Sequence, residues 1–389
     1  MFVLVLNAGS SSLKFNLFDM AKETSIAEGM AERIGLADGS LTFVFESDKH
    51  KEVLPLPTHR EALHAIIERL KAVVLHDTPI HAVGHRVVHG GPKYGDSLIV
   101  TDEVLADIDT FAMYAPLHNP ANAMGIRVAR EEFPDVPHVA VFDTAFHHNI
   151  PDHARTYGIP YELSQKYGIR RYGFHGSSHS YVAARTAILL CRPLRALKIV
   201  TCHIGNGTSI CAVHNGRSVD TSMGMTPLQG VIMGTRCGTI DPSVVEMLME
   251  YEHLDYNGIT DLLNKKSGLL GISGVSSDFR EIELAADAGN DRARLARDLL
   301  TYNVRQYIGA YATVLDGVDA ICFTAGIGTH STFVRAKVCS KLSFLGVKLD
   351  PEANEHGTGE RIISTPDSRV VVTVVPTNEE LMIARETVR

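Results

Sequence analysis

The sequence predicts an α/β protein built from two related domains. The chain has 389 residues, about two to three times the length of a typical domain. Short apolar runs of strand character alternate with longer stretches of helical period. A strand–turn–strand pattern near the start also returns near the middle. Leu6-Asn7-Ala8-Gly9-Ser10-Ser11-Ser12-Leu13 is echoed by Cys202-His203-Ile204-Gly205-Asn206-Gly207-Thr208-Ser209-Ile210. Such an echo marks a duplicated α/β unit rather than a short-period repeat.

The elements follow in order. Segments 2–7 and 13–18 read as strands joined by the small-residue turn. A helix fits 58–75: Thr58-His59-Arg60-Glu61 is a capping box, and Leu63, Ile66, Ile67, Leu70 and Val74 share one face. Buried strands fit 80–88 and 137–143, and a helix fits 179–190. Strands return at 198–203 and 208–214. Asp241-Pro242 opens a helix to about 254, with proline at the favoured first position. A long helix covers roughly 291–316, then strands 319–324 and 369–375. Thr377-Asn378-Glu379-Glu380 is a second capping box that opens a last helix. No low-complexity stretch separates the halves, so they are expected to pack around a shared cleft, the usual home of a ligand.

Composition narrows the function. The chain is 45% hydrophobic and 21% charged, with a formal net charge of -8, which argues against a general nucleic-acid or anionic-membrane binder. The N-terminus turns polar at Asn7, unlike a signal peptide, and no apolar run is long enough to span a membrane. Cys191, Cys202, Cys211, Cys237, Cys322 and Cys339 form no CxxC pair, so reduced thiols in a cytoplasm are expected. His81, His85 and His89 recur every four residues, but the valines around them indicate a strand, where that spacing gives no shared metal face.

Three small-residue turns permit phosphate binding: Asn7 to Ser12, Gly205 to Thr208, and Gly326-Ile327-Gly328-Thr329. Glycine and serine let backbone N–H groups approach an anion, and Lys14 adds a charge. Each alone reads more readily as a hairpin turn, but three in one chain, two of them related, favour phosphate binding. Arg86 ends an apolar strand and Arg236 precedes a helix. A guanidinium fork matches a carboxylate or a phosphoryl group, although a surface ion pair is the plainer reading of each. Asp143 closes Val139-Ala140-Val141-Phe142, at the edge where α/β sheets bind ligands. His175 is exposed by the flanking Gly173 and Gly176. Asp278 precedes Phe279 and Arg280 and could simply cap a helix. Glu380 suits the capping box, which leaves Glu379 to meet a cation.

This set of motifs resembles the acetate kinase family. Val3 to Phe15 looks like its N-terminal signature, and Met233-Gly234-Thr235-Arg236 with Asp241-Pro242 like its second. His85 to Gly91, Ala115 to Pro120, Phe142 to His147, Arg171 to Gly176 and Thr377 to Glu380 are also similar. The resemblance implies two ribonuclease H-like domains of the actin, Hsp70 and sugar-kinase type with an interdomain nucleotide cleft. It implies residues 1–145 plus 377–389 as the acid-side domain, and 146–376 as the nucleotide and dimerisation domain. It implies a homodimer that transfers the ATP γ-phosphoryl group to acetate, with Mg²⁺, or Mn²⁺ as an alternative.

Residue roles follow from the same resemblance. Asn7 and Glu379 would hold the metal, Lys14 would lie near the phosphates, and Arg86 would bind the substrate carboxylate. Asp143, His175 and Arg236 would be catalytic. Val88, Leu117, Phe174 and Pro227 would enclose the acid's methyl group. His203, Ile204, Gly205, Asn206, Gly207, Asp278, Phe279, Arg280, Gly326, Ile327, Gly328, Thr329 and His330 would line the nucleotide site. Thr239 and Thr329 stand where the family pattern has acidic residues, and the second bears on the donor, since some relatives use pyrophosphate. A propionate or butyrate kinase and a non-catalytic ATP switch are the alternatives. A carboxylate is already ionised at neutral pH, so the acceptor needs no strong base. Asp143 is therefore expected to orient Arg236 or Mg²⁺, or to manage a proton late.

Overall fold

The computed structural model describes residues 1–75 and 79–389. It separates into two compact units, Met1–His148 with Asn378–Arg389, and Asn149–Thr377.

In the first unit the strands are β1 (Phe2–Ala8), β2 (Ser12–Asp19), β3 (Thr24–Glu32), β4 (Ser40–Phe45), β5 (Asp48–Val53), β6 (Ala82–Val87), β7 (Leu98–Ile99) and β8 (His138–Phe142). Their order across the sheet is β5-β4-β3-β2-β1-β6-β8-β7. β1, β6 and β8 run parallel, and the hairpin strands beyond β1 alternate. The parallel strands are largely apolar, as expected where helices cover both faces of a sheet. Val3, Leu4, Val5 and Leu6 of β1 are all buried. At the far edge β5 carries Lys49, Lys51 and Glu52, charges that discourage another strand from pairing there. Helix α1 (His59–Val73) is capped by Thr58, whose hydroxyl accepts from the Arg60 N–H, and it buries Leu63, Ile66, Ile67 and Leu70. Helix α2 (Asn119–Glu132) packs on β1 and β6.

The second unit repeats the plan. Its strands are β9 (Lys198–Ile204), β10 (Thr208–His214), β11 (Arg217–Thr221), β12 (Ala320–Thr324), β13 (Arg361–Ile362) and β14 (Val371–Val374), in the order β11-β10-β9-β12-β14-β13. Strands β3-β2-β1-β6-β8-β7 thus correspond one for one to β11-β10-β9-β12-β14-β13. The parallel pairs and the antiparallel edge strand coincide. This is the duplicated ribonuclease H-like arrangement. The helices that matter below are α3 (Gly176–Leu189), α4 (Phe279–Asp287), α5 (Asp291–Val314) and α6 (Ala325–His330). Leu300, Val304, Ile308 and Tyr311 of α5 form its buried stripe against the sheet.

The chain ends in α7 (Glu379–Val388), which returns to the first unit and packs on β6, β1 and β8. Gly84 makes this approach possible, because a Cβ there would overlap the Thr387 hydroxyl.

Three local expectations are corrected. The last helix is capped by Asn378, which accepts from the Leu381 N–H, and not by a Thr377–Glu380 box. Glu380 instead meets Lys14. The Gly326–Thr329 stretch is not a turn but lies inside α6, directly after β12. Pro242 sits one residue before its helix, Ser243–Tyr251, rather than in its first turn. The three spaced histidines land apart. His81 faces the Phe2 N–H, His85 faces His138, and the His89 Nδ1 accepts from Gly91.

Candidate active site

In the first unit the site gathers at the carboxyl ends of the parallel strands, where the β1–β2 turn, β6, β8 and the start of α7 converge. Arg86 is the penultimate residue of β6, and Asp143 follows β8. The parallel register that pairs Arg86 with Val141 sets the two side by side. Arg86 Nε donates to Asp143 Oδ1 at 2.9 Å and Nη2 donates to Oδ2 at 2.7 Å. Asp143 is only 2% exposed, while the Arg86 side chain keeps 23%. This is a partly buried, bidentate pair, not the surface ion pair that the sequence also allowed. Burial works against the Arg86 charge, but Asp143 outweighs it, with help from Glu379 and Glu380, and holds the guanidinium well above its usual range. Asp143 Oδ1 and Oδ2 both face Arg86 of the same unit.

Glu379 and Glu380 open α7 beside this pair. Burial pushes the Glu379 carboxyl up, Asp143 and Glu380 add to the rise, and Arg86 and Lys14 oppose it. Lys14, opposite Asn7 in the β1–β2 register, is paired with Glu380. Three carboxylates (Asp143, Glu379, Glu380) thus face two cations (Arg86, Lys14). Val88 is buried, whereas Leu117 is half exposed.

In the second unit the turn between β9 and β10 is the centre. Gly205 N–H donates to the Gly207 carbonyl and the Thr208 hydroxyl to the Gly205 carbonyl, both at 3.1 Å. Gly234 N–H donates to the Asn206 carbonyl at 3.0 Å. A Cβ on Gly234 would overlap the Asn206 side chain, so glycine is required where this loop meets the turn. Over Gly207, the His175 ring and Arg236 Nη2 come within 3.3 and 3.4 Å of one point. Arg236 is oriented by Nη1, which donates to the Pro227 carbonyl at 2.7 Å. His175 precedes α3 with φ 57°, a left-handed conformation uncommon outside glycine. Its ring stacks on His203 at 4.0 Å, and its Nδ1 lies 2.9 Å from the Ser209 hydroxyl. Phe174 is buried beside it in sequence.

A cavity of about 870 Å³ opens next to this turn. It is lined by Gly205, Asn206, Ser277, Asp278, Phe279, Arg280, Glu283, Gly326, Ile327, His330 and Ser331. Residues up to 126 positions apart in the chain thus share one wall. Asp278 caps α4 and pairs with Arg280. The Arg280 hydrogen bond and the cap pull its carboxyl down to about 2. His203, Ile204, Gly207, Gly328 and Thr329 are not part of the lining. The Gly328 and Thr329 carbonyls instead accept from the buried Arg335, at 3.1 and 2.7 Å.

Sequence reasoning missed Ser277, Glu283 and Ser331 on the cavity wall, and Ser209 and His179 behind His175. A signal existed for the last, since His175 and His179 are four apart at the start of a helix and so share a face. Nothing local marked Glu283, whose carboxylate is met by the Ser331 hydroxyl at 2.7 Å across the fold.

Comparison with known proteins adds the family. The acetokinase family profile matches residues 2–385. The chain is 51% identical to an acetate kinase of Halothermothrix orenii, covering 100% of this chain and 98% of that one. It is 54% identical to an acetate kinase of Heliobacterium modesticaldum, covering 100% and 99%. Among solved structures, Porphyromonas gingivalis acetate kinase superposes with TM-score 0.95 at 46% identity, covering 100% and 98%. A propionate kinase from Francisella tularensis gives 0.94 at 40% identity, covering 99% and 98%.

Proposed function

The chain belongs to the acetokinase family and is a kinase with acetate as its carboxyl acceptor; from that premise we propose how its two half-sites divide the work. Arg86 holds the acid and the second unit holds ATP. The observation that carries the donor assignment is the 870 Å³ cavity beside the glycine turn, a volume suited to a nucleotide and far larger than pyrophosphate needs. Thr329, the departure that bears on the donor, lies off that wall.

The acceptor chemistry follows from Arg86. Asp143 occupies Nε and one hydrogen of Nη2. The remaining edge, one hydrogen of Nη1 with the second hydrogen of Nη2, can take a second carboxylate bidentately. Asp143 is then the residue that fixes the fork, and no base is needed to ionise acetate. His175 and Arg236, which converge over Gly207, offset charge that spreads over the transferring phosphoryl oxygens. Val88, Leu117, Phe174 and Pro227 serve the methyl group.

The first-unit cluster fits a divalent cation. Three carboxylates against two cations would repel an incoming acetate, and Arg86 and Lys14 do not fully offset the burial that raises the Glu379 carboxyl. Mg²⁺ is commonly bound through one or two protein ligands together with phosphate oxygens, although among the described residues no group of three or more acidic, histidine or cysteine side chains could hold a metal. Asn7 and Glu379 would hold it, with Lys14 near the phosphates. Bound there, Mg²⁺ would neutralise charge on the β- and γ-phosphoryl oxygens.

We also infer a homodimer in the cytoplasm. Helix Ser243–Tyr251 buries none of its residues and exposes Val244, Met247, Met249 and Tyr251, an apolar face that a second copy would cover. All six cysteines are free thiols.

A hydroxamate assay with ATP, Mg²⁺ and acetate, propionate or butyrate tests the reading. Acyl phosphate should form fastest with acetate, with some overlap onto propionate, because one methylene is worth only about 1–3 kcal/mol in such a pocket. Preference for pyrophosphate over ATP would defeat the donor assignment, and a propionate preference would favour the second reading raised by the propionate kinase neighbour.

A further inference from the structure

The catalytic reading uses His175 but none of the side chains behind it. His175 Nδ1 lies 2.9 Å from Ser209 Oγ, which lies 2.7 Å from His179 Nε2. His179 Nδ1 is 2.7 Å from Thr201 Oγ1, and Thr201 Oγ1 reaches the Cys211 carbonyl at 3.5 Å. Ser209, His179 and Thr201 are fully buried. They form a continuous chain of hydrogen bonds from the His175 ring to the backbone of β10.

The far end sets the order of the protons. A carbonyl oxygen only accepts, so the Thr201 proton points at Cys211 and the Thr201 oxygen accepts from His179 Nδ1–H. A buried neutral His179 then has a bare Nε2, which takes the Ser209 proton. The Ser209 lone pair in turn takes a proton from His175 Nδ1. Every link is satisfied in this order, whereas the reverse order leaves the Cys211 end without a proton.

We propose that Ser209, His179 and Thr201 are positioning residues for phosphoryl transfer, which keep a proton on His175 Nδ1 and leave Nε2 as the nitrogen that titrates. This rests on the role of His175 given above. A chain whose acceptor ends face His175 favours the imidazolium, and only that form can donate from Nε2 to a phosphoryl oxygen. Arg236 over Gly207 opposes the charge, and the His203 ring stacked from β9 and His179 on the same helix are further titratable groups beside it.

The test is ¹⁵N-histidine NMR with kinetics on the full chain, comparing wild type with Thr201→Val. Valine removes the hydroxyl, suits a strand and does not touch His175. Neutral wild-type His175 should carry its hydrogen on Nδ1, and kcat should fall as pH rises through its ionisation. In Thr201→Val the population should move toward Nε2–H. The alkaline limb of kcat should move down by about one pH unit, about tenfold in kcat on that limb, with both KM values unchanged. A wild-type Nε2–H tautomer overturns the proposal, and that spectrum decides even if the variant fails to fold. A variant unchanged in tautomer and pH profile overturns it as well. If Nδ1–H is found but His175→Gln keeps full kcat, the role of His175 fails while the chain stands.

Discussion

The two units share a strand order and differ in what surrounds their first turn. Around β1–β2 the neighbours are charges: Lys14 with Glu380, Arg86 with Asp143, and Glu379 pushed up by burial. Around β9–β10 the turn is backed by a hydrogen-bonded, largely buried set, Ser209, His179, His203 and Thr201 with His175, and the Arg236 guanidinium comes over Gly207. One scaffold thus carries an ionic site, where charge balance decides what binds, and a hydrogen-bonded site, where proton placement and close approach decide it. A fold of this kind fixes where a site lies, and the side chains on its turns decide what it does.

Substitutions can break that contrast. Arg236→Ala should have the largest effect, a fall in kcat of about 10²–10³ with modest KM changes; steady-state kinetics retaining near-normal kcat would remove Arg236 from the transition state. Next is Asp143→Asn. Losing the charged half of the Arg86 pair should raise the acetate KM roughly tenfold or more, since a charge-assisted hydrogen bond is worth about 1.5–3 kcal/mol, while the ATP KM stays put. A rise confined to ATP would transfer Asp143 out of the acceptor half.

Glu379→Gln tests the ionic character directly. A carboxyl raised in the fold binds its proton more tightly there than in the unfolded chain, so its ionised form costs stability above the folded pKa, and that cost disappears as pH falls through it. The neutral amide should therefore raise the metal-free Tm at pH 8, on the order of 2 °C, and should weaken the Mg²⁺ dependence of the rate. Thermal melts and a Mg²⁺ titration check both; a lower Tm with an unchanged Mg²⁺ requirement would count against the cation site. The smallest effect is expected at Val88→Ala, which should improve kcat/KM for propionate relative to acetate several-fold, within the range of about 1–3 kcal/mol per methylene. Identical ratios in competition assays would place Val88 away from the methyl group.

Much of the fold was legible in the chain because local rules governed it. The apolar run Phe2–Leu6, the long α5 stripe and the echo between residues 6–13 and 202–210 each carried its own periodicity or turn chemistry. The errors came where local rules conflict. Thr377 and Asn378 are both good caps, and the choice fell to Asn378. Gly326-Ile327-Gly328-Thr329 has the composition of a turn, yet it helices directly out of β12 and its last carbonyls are held by Arg335.

By itself the sequence determined the duplicated α/β plan, the family, and the residue types of the candidate site. Periodicity, turn residues and motif spacing are properties of contiguous segments, and 389 residues contain enough of them. Only the tertiary structure decided who faces whom. Parallel register set Arg86 against Asp143, and the return of α7 brought Glu379 and Glu380 to Lys14. Docking of α3 on β9 stacked His175 on His203 and lined Thr201, His179 and Ser209 into one chain. These are contacts between groups 22 to 366 residues apart, set by sheet register and helix docking, which no local pattern encodes.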